Sequence, residues 1–363
     1  MTADQGVAED TRVAFLRLLN PLDHRMMMGT MPMAAAGPSA RGAAAAWHTR
    51  GWALALFSAC CAAMAGPIGV LDNYVLTDTA RGRQVPLRIY YPQPGHSGGY
   101  PVIIFSHGAE LSKDRYGYLG RFWAENGYVV IHVTHLDDGA IYIKHGKLLV
   151  SGSWVPYTKA AEQAVTDSPG ANRPLDISFV IDSLPAIAKA VPELADRMDR
   201  ARIGVAGHSF GAYAVIAVAG AAIHQRAGGT RIFGDPRIKA FIAMSLFGPE
   251  ESDSWASITR PILAINGSKE SESVLGSFNG LPPGGKYCVT VTGVGHGDFF
   301  DDRLDGTPCH EFIKRVGLAF WDTALREHDP SAAGFERALA VEGIADDGGS
   351  LAGVGAAGEL RSK

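Results

Sequence analysis

A Gly-x-Ser-x-Gly turn between an apolar strand and an apolar helix constrains this chain more than any other feature. Residues 203–206 and 212–219 are apolar, and residues 207–211 form the turn with Ser209 at its centre. Small residues beside a serine allow the sharp strand-to-helix turn that exposes its hydroxyl at a strand end. The pattern therefore predicts Ser209 as a nucleophile, with the backbone N–H of Phe210 directed at the same point.

A second Gly-x-Ser-x-Gly match, at residues 95–99, lies in a different setting. It follows a proline-rich turn and leads directly into the apolar segment from Tyr100, with no helical pattern between them. The chain contains 44 glycines, so a match is informative only when the flanking strand and helix are present. We interpret Ser97 as a turn residue.

Short apolar segments alternate with helical patterns through most of the chain. Strands are predicted at 70–77, 85–91, 101–105, 128–133, 203–206, 240–244, 262–265 and 287–291, and helices at 116–126, 175–190, 209–223 and 310–326. Strands that are apolar on both faces and alternate with helices form a mostly parallel sheet with helices on both faces. In such α/β sheets, active sites lie at the carboxyl ends of the strands.

Two regions depart from this alternation. Residues 137–174 show no clear period and are interpreted as an insertion, either a lid or substrate wall over the strand ends or a plain surface excursion. Residues 328–363 are rich in Ala and Gly with few aromatic side chains, which predicts a loosely ordered tail. The α/β domain is accordingly expected to span residues 66–327.

Residues 1–65 resemble a leader. Arg50 precedes a short apolar segment that ends in Ala-Met-Ala at 63–65, the pattern of an export signal cleaved before Gly66. Export would place the mature protein in the periplasm or outside the cell, with no membrane span of its own, since no apolar run after the leader reaches 18 residues.

Alternatives to this leader stay open. The apolar segment could be a buried or a single membrane-spanning helix. Residues 57–60 loosely resemble a lipoprotein cleavage box, which would make Cys60 an anchor. The long distance from the first residue also allows an internal start at Met28, Met31 or Met33.

The charge pattern excludes several classes of partner. The chain has 33 basic and 37 acidic residues, a net charge of −4, and both signs are scattered. No basic stripe indicates nucleic acid, and no cluster of metal-ligating residues indicates a metal or an organic cofactor. The scattered charges favour none of these partners.

A serine nucleophile needs a base, and the base needs an orienting carboxylate. His296 lies between glycines directly after the last predicted strand, where the loop can present its ring freely. The acid is expected between the serine and the histidine along the chain. Glu270, after the strand at 262–265, is the first choice, Glu272 is the second, and the acids at Glu250, Glu251 and Asp253 are the third.

An oxyanion hole requires a second backbone donor beside that of Phe210. The loop after the first long buried strand offers the N–H of Ala109. His107, His135 and His208 also lie near predicted strand ends, and we expect them to shape the pocket.

Two cysteines remain outside the leader. Cys288 and Cys309 flank His296 along the chain. In an oxidising compartment they could close a disulfide around the histidine loop, or they could be two unrelated thiols.

Four short segments carry a resemblance to a known family. They are residues 105–108, 135–138, 173–176 and 207–211. Together they resemble the platelet-activating-factor acetylhydrolase-like and dienelactone-hydrolase-like branch of the α/β-hydrolases, over about residues 72–325. The resemblance implies an α/β-hydrolase fold and ester hydrolysis. Bacterial cutinases and polyester hydrolases are also similar and often carry a disulfide near the histidine loop.

The chain differs from that branch in two places. Dienelactone hydrolases proper use a cysteine nucleophile, whereas this chain has Ser209, so their activity is not expected. The acid of the acetylhydrolases follows an earlier strand, where this chain has Ser245. That difference moves the expected acid to Glu270 and weakens the link to phospholipid substrates.

The sequence thus predicts an exported serine carboxylic-ester hydrolase that acts on a small-molecule or lipid-like ester substrate. Ser209 would attack the ester, His296 would take its proton, and Glu270 would orient His296, while the N–H groups of Phe210 and Ala109 hold the oxyanion. Water would release the acyl-enzyme. Two alternatives are a serine peptidase or amidase on the same fold and a catalytically silent hydrolase-like binding protein.

Overall fold

The structure, a computed structural model, describes residues 67–93, 99–109, 111–135, 171–224, 229–246, 252–300 and 307–363, together with the backbone of three short strands between 143 and 156. The predicted leader, including Cys60 and the candidate start residues, lies outside the described residues. So does most of the predicted insertion at 137–174. In the part of the chain that the structure describes, no helix is long and apolar enough to cross a membrane.

The strands of the described residues are β1 (Ile68–Asp78), β2 (Arg83–Pro92), β3 (Tyr100–Ser106), β4 (Val129–Val133), β5 (Ile143–Lys144), β6 (Lys147–Val150), β7 (Ser153–Pro156), β8 (Met198–His208), β9 (Ala222–His224), β10 (Thr230–Ile232), β11 (Ile238–Met244), β12 (Ile262–Gly267), β13 (Lys286–Val291), β14 (Ala345–Asp347), β15 (Ser350–Gly353) and β16 (Ala356–Ser362).

The α-helices are α1 (Gly117–Glu125), α2 (Asn172–Asp182), α3 (Leu184–Ala190), α4 (Phe210–Ala219), α5 (Glu272–Ser277), α6 (Pro308–Trp321) and α7 (Ala332–Val341). A π-helical turn, Asp322–Glu327, continues α6, and short 3₁₀ turns lie at Pro192–Leu194, Ser252–Trp255, Phe278–Gly280 and His296–Phe299.

Eleven of the strands form one sheet in the order β1-β2-β4-β3-β8-β11-β12-β13-β16-β15-β14. The strands from β4 to β13 in this order run parallel to their neighbours, and the strands outside them are antiparallel. β5, β6 and β7 form a small separate sheet within the predicted insertion, and β9 pairs with β10. The mostly parallel α/β sheet predicted from the sequence is confirmed.

The sheet divides the core into two faces. Val102 and Ile104 of β3 pack in a cluster with α2, α3 and α4, which we call the first face. The alternate residues Ile103 and Phe105 pack in a cluster with α1, α6 and α7, the second face. Successive side chains of a strand point to opposite faces, so fully apolar strands such as β3 require helices on both.

The predicted helix at 175–190 is divided into α2 and α3. Pro185, in the first turn of α3, has no backbone N–H to donate and therefore fits the start of a helix better than its interior. The helix predicted at 209–223 ends at Ala219 because Gly220 has a φ of 117°, a left-handed conformation that ends helices.

The expectation of a loosely ordered tail at 328–363 is wrong. These residues form α7 and the strands β14, β15 and β16, and β16 pairs antiparallel with β13. Phe335, Leu339, Ile344 and Leu351 are buried on the second face, and Leu360 packs against them, whereas Val341 is exposed. Composition averages over the segment and does not show where these apolar positions lie on the helix and strands.

The predicted disulfide is also wrong, because Cys288 and Cys309 are both free thiols in the structure. Cys288 lies on β13 and is buried on the first face, whereas Cys309 lies on α6 and packs against the second face. The sheet itself therefore separates the two side chains. Burial raises the pKa of the Cys288 thiol, which makes it less reactive.

The carboxyl ends of the parallel strands meet at one edge of the sheet. Ser106 at the end of β3 pairs with Gly207, His208 at the end of β8 pairs with Met244, and Gly267 pairs with Val291. The loops that follow these strands carry the residues predicted from the sequence to form the site.

Candidate active site

Ser209 connects β8 directly to α4. Its backbone has φ 56° and ψ −120°, which non-glycine residues rarely adopt. The N–H of Ser209 donates to the carbonyl of Met244 at 3.0 Å, which ties the turn to the neighbouring strand. A Cβ atom on Gly211 would overlap the carbonyl oxygen of Ser106, so the glycine allows α4 to start against β3.

Ser209, His296 and Glu270 form one hydrogen-bonded chain. The Ser209 Oγ lies 2.9 Å from His296 Nε2, and His296 Nδ1 lies 2.9 Å from Glu270 Oε1. Since a carboxylate can only accept, Nδ1 carries the proton and Nε2 accepts from the serine hydroxyl. The structure thus brings together the three residues that the sequence predicted.

Glu270 is the buried end of this hydrogen-bonded series and is itself held by a backbone group. Its Oε2 accepts a hydrogen bond from the N–H of Gly267 at 2.8 Å. The Glu270 side chain is 1% exposed, whereas that of His296 is 40% exposed. The carboxylate therefore faces the histidine, and a ligand can approach from the side of the imidazole and the serine.

The other acids considered from the sequence have different surroundings. Glu272 is the first residue of α5 and is exposed to solvent. Glu250, Glu251 and the side chain of Asp253 lie outside the described residues. After β11 the chain has Ser245, whose Oγ contacts His208 rather than His296.

Two residues of neighbouring helices hold the turn that carries His296. The Nε2–H of His310 donates to the carbonyl of Asp298 at 2.9 Å, and the hydroxyl of Tyr118 donates to the carbonyl of Phe299 at 3.1 Å. The rings of His310 and Tyr118 are stacked, with centroids 4.0 Å apart and planes 6° apart. Sequence reasoning missed both residues, because they come from α6 and α1 and no local pattern links them to the turn.

The loop after β3 is fastened at several backbone atoms. The N–H of Gly108 donates to the hydroxyl of Tyr116 at 3.3 Å, and the Nδ1 of His107 lies 2.6 Å from the carbonyl of Gly108. The guanidinium of Arg173 donates to the carbonyl of His107. Ala109, the predicted second donor of the oxyanion hole, directly follows this fastened segment.

Phe210, the predicted first donor, is the first residue of α4. The N-terminal end of a helix carries a partial positive charge and directs backbone N–H groups outward, which favours a negative ligand atom there. The ring of Phe210 lies beneath the guanidinium of Arg173, 4.3 Å from its central carbon.

The three histidines expected to shape the pocket are all buried. His107, His135 and His208 are each no more than 1% exposed. They support the loops around Ser209 from within the protein and do not form an open wall.

His208 links the serine turn to two other loops. Its Nδ1 lies 2.8 Å from the hydroxyl of Tyr116, and its Nε2 lies 3.0 Å from the Oγ of Ser245. Burial, reinforced by the neighbouring His296, holds the pKa of His208 well below its usual range, so its imidazole is neutral.

Three of the seven described non-glycine residues with positive φ lie around the same point. Tyr116 has φ 60° and Ser245 has φ 54°, in addition to φ 56° at Ser209. Non-glycine residues in this region cost free energy and persist where the surrounding structure enforces them, often at functional sites.

The fold and this geometry can be compared with known proteins. Residues 93–166 match the family model described as platelet-activating factor acetylhydrolase, isoform II. The platelet-activating factor acetylhydrolase of Bos taurus is 25% identical over 228 residues, which cover 56% of this chain and 48% of that protein. The one from Cavia porcellus is 26% identical over 261 residues, 61% of this chain and 56% of that protein. The chain thus spans about half the length of the curated relatives it matches.

A solved structure supports the fold. The ferulic acid esterase from Streptomyces cinnamoneus superposes with a TM-score of 0.53 at 22% identity and covers 76% of this chain and 94% of that one. The α/β-hydrolase fold is therefore confirmed, and so is the resemblance to the acetylhydrolase branch that the sequence predicted.

Within the described residues, no group of three or more His, Cys, Asp or Glu side chains is arranged to hold a metal ion.

The close packing of the serine turn on β3 gives a testable prediction. Gly211→Ala would place a methyl group against the carbonyl of Ser106 and should lower the free energy of unfolding by about 2–3 kcal/mol. Gly276→Ala in α5 is the matched control, since its Cβ would meet no atom within 4 Å. Chemical denaturation measures both. Equal stability of the two variants would contradict the packing described here.

Proposed function

We propose that this protein is a serine carboxylic-ester hydrolase that works through an acyl-enzyme. The observation that carries the proposal is the continuous hydrogen-bonded chain from the Ser209 hydroxyl through His296 to the carboxylate of Glu270. A serine hydroxyl is a poor nucleophile unless such a base stands beside it.

The reaction proceeds in two halves. The Ser209 oxygen attacks the ester carbonyl while its proton moves to His296 Nε2, and the carboxylate of Glu270 stabilises the imidazolium that forms. His296 then returns the proton to the leaving alcohol as the bond to it breaks. In the second half a water molecule takes the place of the alcohol, attacks the acyl group, and restores the serine hydroxyl and a free carboxylic acid.

The negative oxygen that forms in each half needs donors close by. The N–H of Phe210, at the start of α4, and the N–H of Ala109, after the fastened loop, are proposed for this role. Such donors stabilise charge that develops in the transition state and cost little to reorganise, because they are already oriented.

The relatives support the ester class. The proteins with which the chain was compared are named as platelet-activating factor acetylhydrolases and a ferulic acid esterase. An ester bond is the feature that these names share, and we propose it as the substrate feature here.

We also propose that the protein is exported, on the strength of the leader pattern at residues 50–65. Cell fractionation followed by N-terminal sequencing tests this, with Gly66 expected as the first residue of protein recovered from the periplasm or the medium. Recovery of uncleaved chain from the cytosol would contradict it.

The first test is hydrolysis of p-nitrophenyl esters of graded acyl length by the wild-type protein and by Ser209→Ala. The wild type should turn over at least one ester, and the variant should lose about 10⁴-fold or more in kcat because the nucleophile is gone. Retained turnover in Ser209→Ala would overturn the assignment of the nucleophile. Cleavage of peptide anilides but not esters would favour a peptidase or amidase, and no turnover of either would favour a silent binding protein.

The second test separates the two candidate acids. Glu270→Ala should lower kcat by about 10²–10⁴-fold, because His296 loses the acceptor that fixes its tautomer and stabilises its charge. Glu272→Ala, only two residues away but exposed on α5, should stay within about twofold of the wild type. The opposite ranking in steady-state kinetics would place the acid at Glu272.

A further inference from the structure

A second Ser-His-carboxylate chain lies beneath the site. The Oγ of Ser106 lies 2.9 Å from Nε2 of His135, and Nδ1 of His135 lies 3.0 Å from Oδ2 of Asp176. These are the same atoms, in the same order, as those that join Ser209, His296 and a carboxylate. All three residues lie in the segments that resemble the acetylhydrolase branch, and Ser106 and Asp176 have no part in the proposed reaction.

Because these three side chains are buried, none of them can contact a substrate. Ser106, His135 and Asp176 are each 0% exposed. Asp176 also accepts from Arg83 Nη2 at 2.9 Å and forms an ion pair with Arg81 at 2.9 Å. Burial raises the pKa of the Asp176 carboxyl, and the two guanidinium groups oppose that shift. When the carboxylate accepts from Nδ1–H of a neutral His135 ring, Nε2 is left to accept from the Ser106 hydroxyl. We call these three hydrogen-bonded residues, Ser106, His135 and Asp176, the buried relay.

The buried relay contacts the loop after β3, which leads to Ala109, through a further histidine. The backbone N–H of His135 donates to Nε2 of His107 at 3.0 Å. Burial, assisted by the nearby Arg173, holds the pKa of His107 well below its usual range, so this ring stays a neutral acceptor. Its other nitrogen, Nδ1, then donates to the carbonyl of Gly108.

The same relay also contacts the serine turn. Ser106 is the last residue of β3, and its carbonyl oxygen lies against the backbone of Gly211 in the first turn of α4. One side of Ser106 therefore leads to the loop before Ala109, and the other faces the helix that begins at Phe210.

We propose that Ser106, His135 and Asp176 are positioning residues that keep the backbone N–H groups of Ala109 and Phe210 aimed at a common point. This inference rests on the proposed ester hydrolysis for its kinetic consequence. The residues act through the backbone of the loop and the helix and do not themselves touch the substrate.

Ser106→Ala in the full chain tests the proposal, because it removes the hydroxyl donor and leaves the imidazole acceptor buried. We expect kcat per titrated active site to fall between about tenfold and a hundredfold, with KM changed by less than about twofold. The inhibition constant of an alkyl trifluoromethyl ketone, which forms an oxyanion with a serine hydroxyl, should rise by the same factor.

Ser178→Ala is the matched control. Ser178 lies on the same helix as Asp176, and its hydroxyl also donates to a carboxylate, that of Asp235 at 3.0 Å. Because Ser178 is only partly buried, this variant should lose less thermal stability than Ser106→Ala, with kcat and the inhibition constant unchanged. If Ser106→Ala proves insoluble, Ser106→Cys keeps a weaker donor of similar volume and should give an intermediate loss.

Two results would overturn the proposal in an active protein. They are an unchanged kcat per active site in Ser106→Ala, and a lower kcat with an unchanged inhibition constant.

Hydrogen–deuterium exchange of a peptide covering residues 105–109 gives a readout that does not depend on activity. Exchange should be faster in Ser106→Ala than in the wild type or in Ser178→Ala. If the wild type shows no Ser209-dependent turnover, the proposed function fails, and this exchange alone decides whether the relay positions the loop. Unchanged exchange would then reject the positioning role.

Discussion

The left-handed backbone at Ser209 is the constraint on which the rest of the site depends. A serine adopts φ 56° only when its neighbours enforce it, and here the enforcement comes from three strands at once. β8 delivers the serine, β11 accepts its N–H through Met244, and β3 ends against Gly211. The parallel register of these strands therefore fixes where the hydroxyl points. The last two parallel strands, β12 and β13, place Glu270 and His296 to meet it.

The titratable groups around that serine differ in burial according to the role proposed for each. The group that changes charge in the proposed reaction, His296, is half exposed and faces a carboxylate. The histidines behind it, His107 and His208, are buried and stay neutral. Burial raises the pKa of the Asp176 carboxyl, and the facing Arg83 and Arg81 oppose that shift. The structure thus contains two Ser-His-carboxylate sets with different proposed roles. The partly exposed set at Ser209 transfers protons, and the buried set at Ser106 positions the backbone.

Much of the site could be predicted from the sequence, because its parts sit where local patterns end. Ser209, Glu270 and His296 each follow a short apolar strand, and glycines mark the turns around the serine and the histidine. Contacts between distant elements left no such pattern. Tyr118 and His310 hold the histidine turn from two helices, and β16 pairs with β13. The prediction of a disulfide was wrong for a related reason, because spacing along the sequence does not show on which face of a sheet a cysteine lies.

The most direct test of the account is to locate a covalent adduct by mass spectrometry after reaction with a fluorophosphonate. The reagent bonds to a serine only when a base and an oxyanion hole activate it. The account predicts one adduct, on the peptide that carries Ser209, with labelling slowed strongly in His296→Ala. A folded protein that stays unlabelled, or one labelled at Ser97 or Ser106 instead, would contradict the central claim that Ser209 is the activated nucleophile.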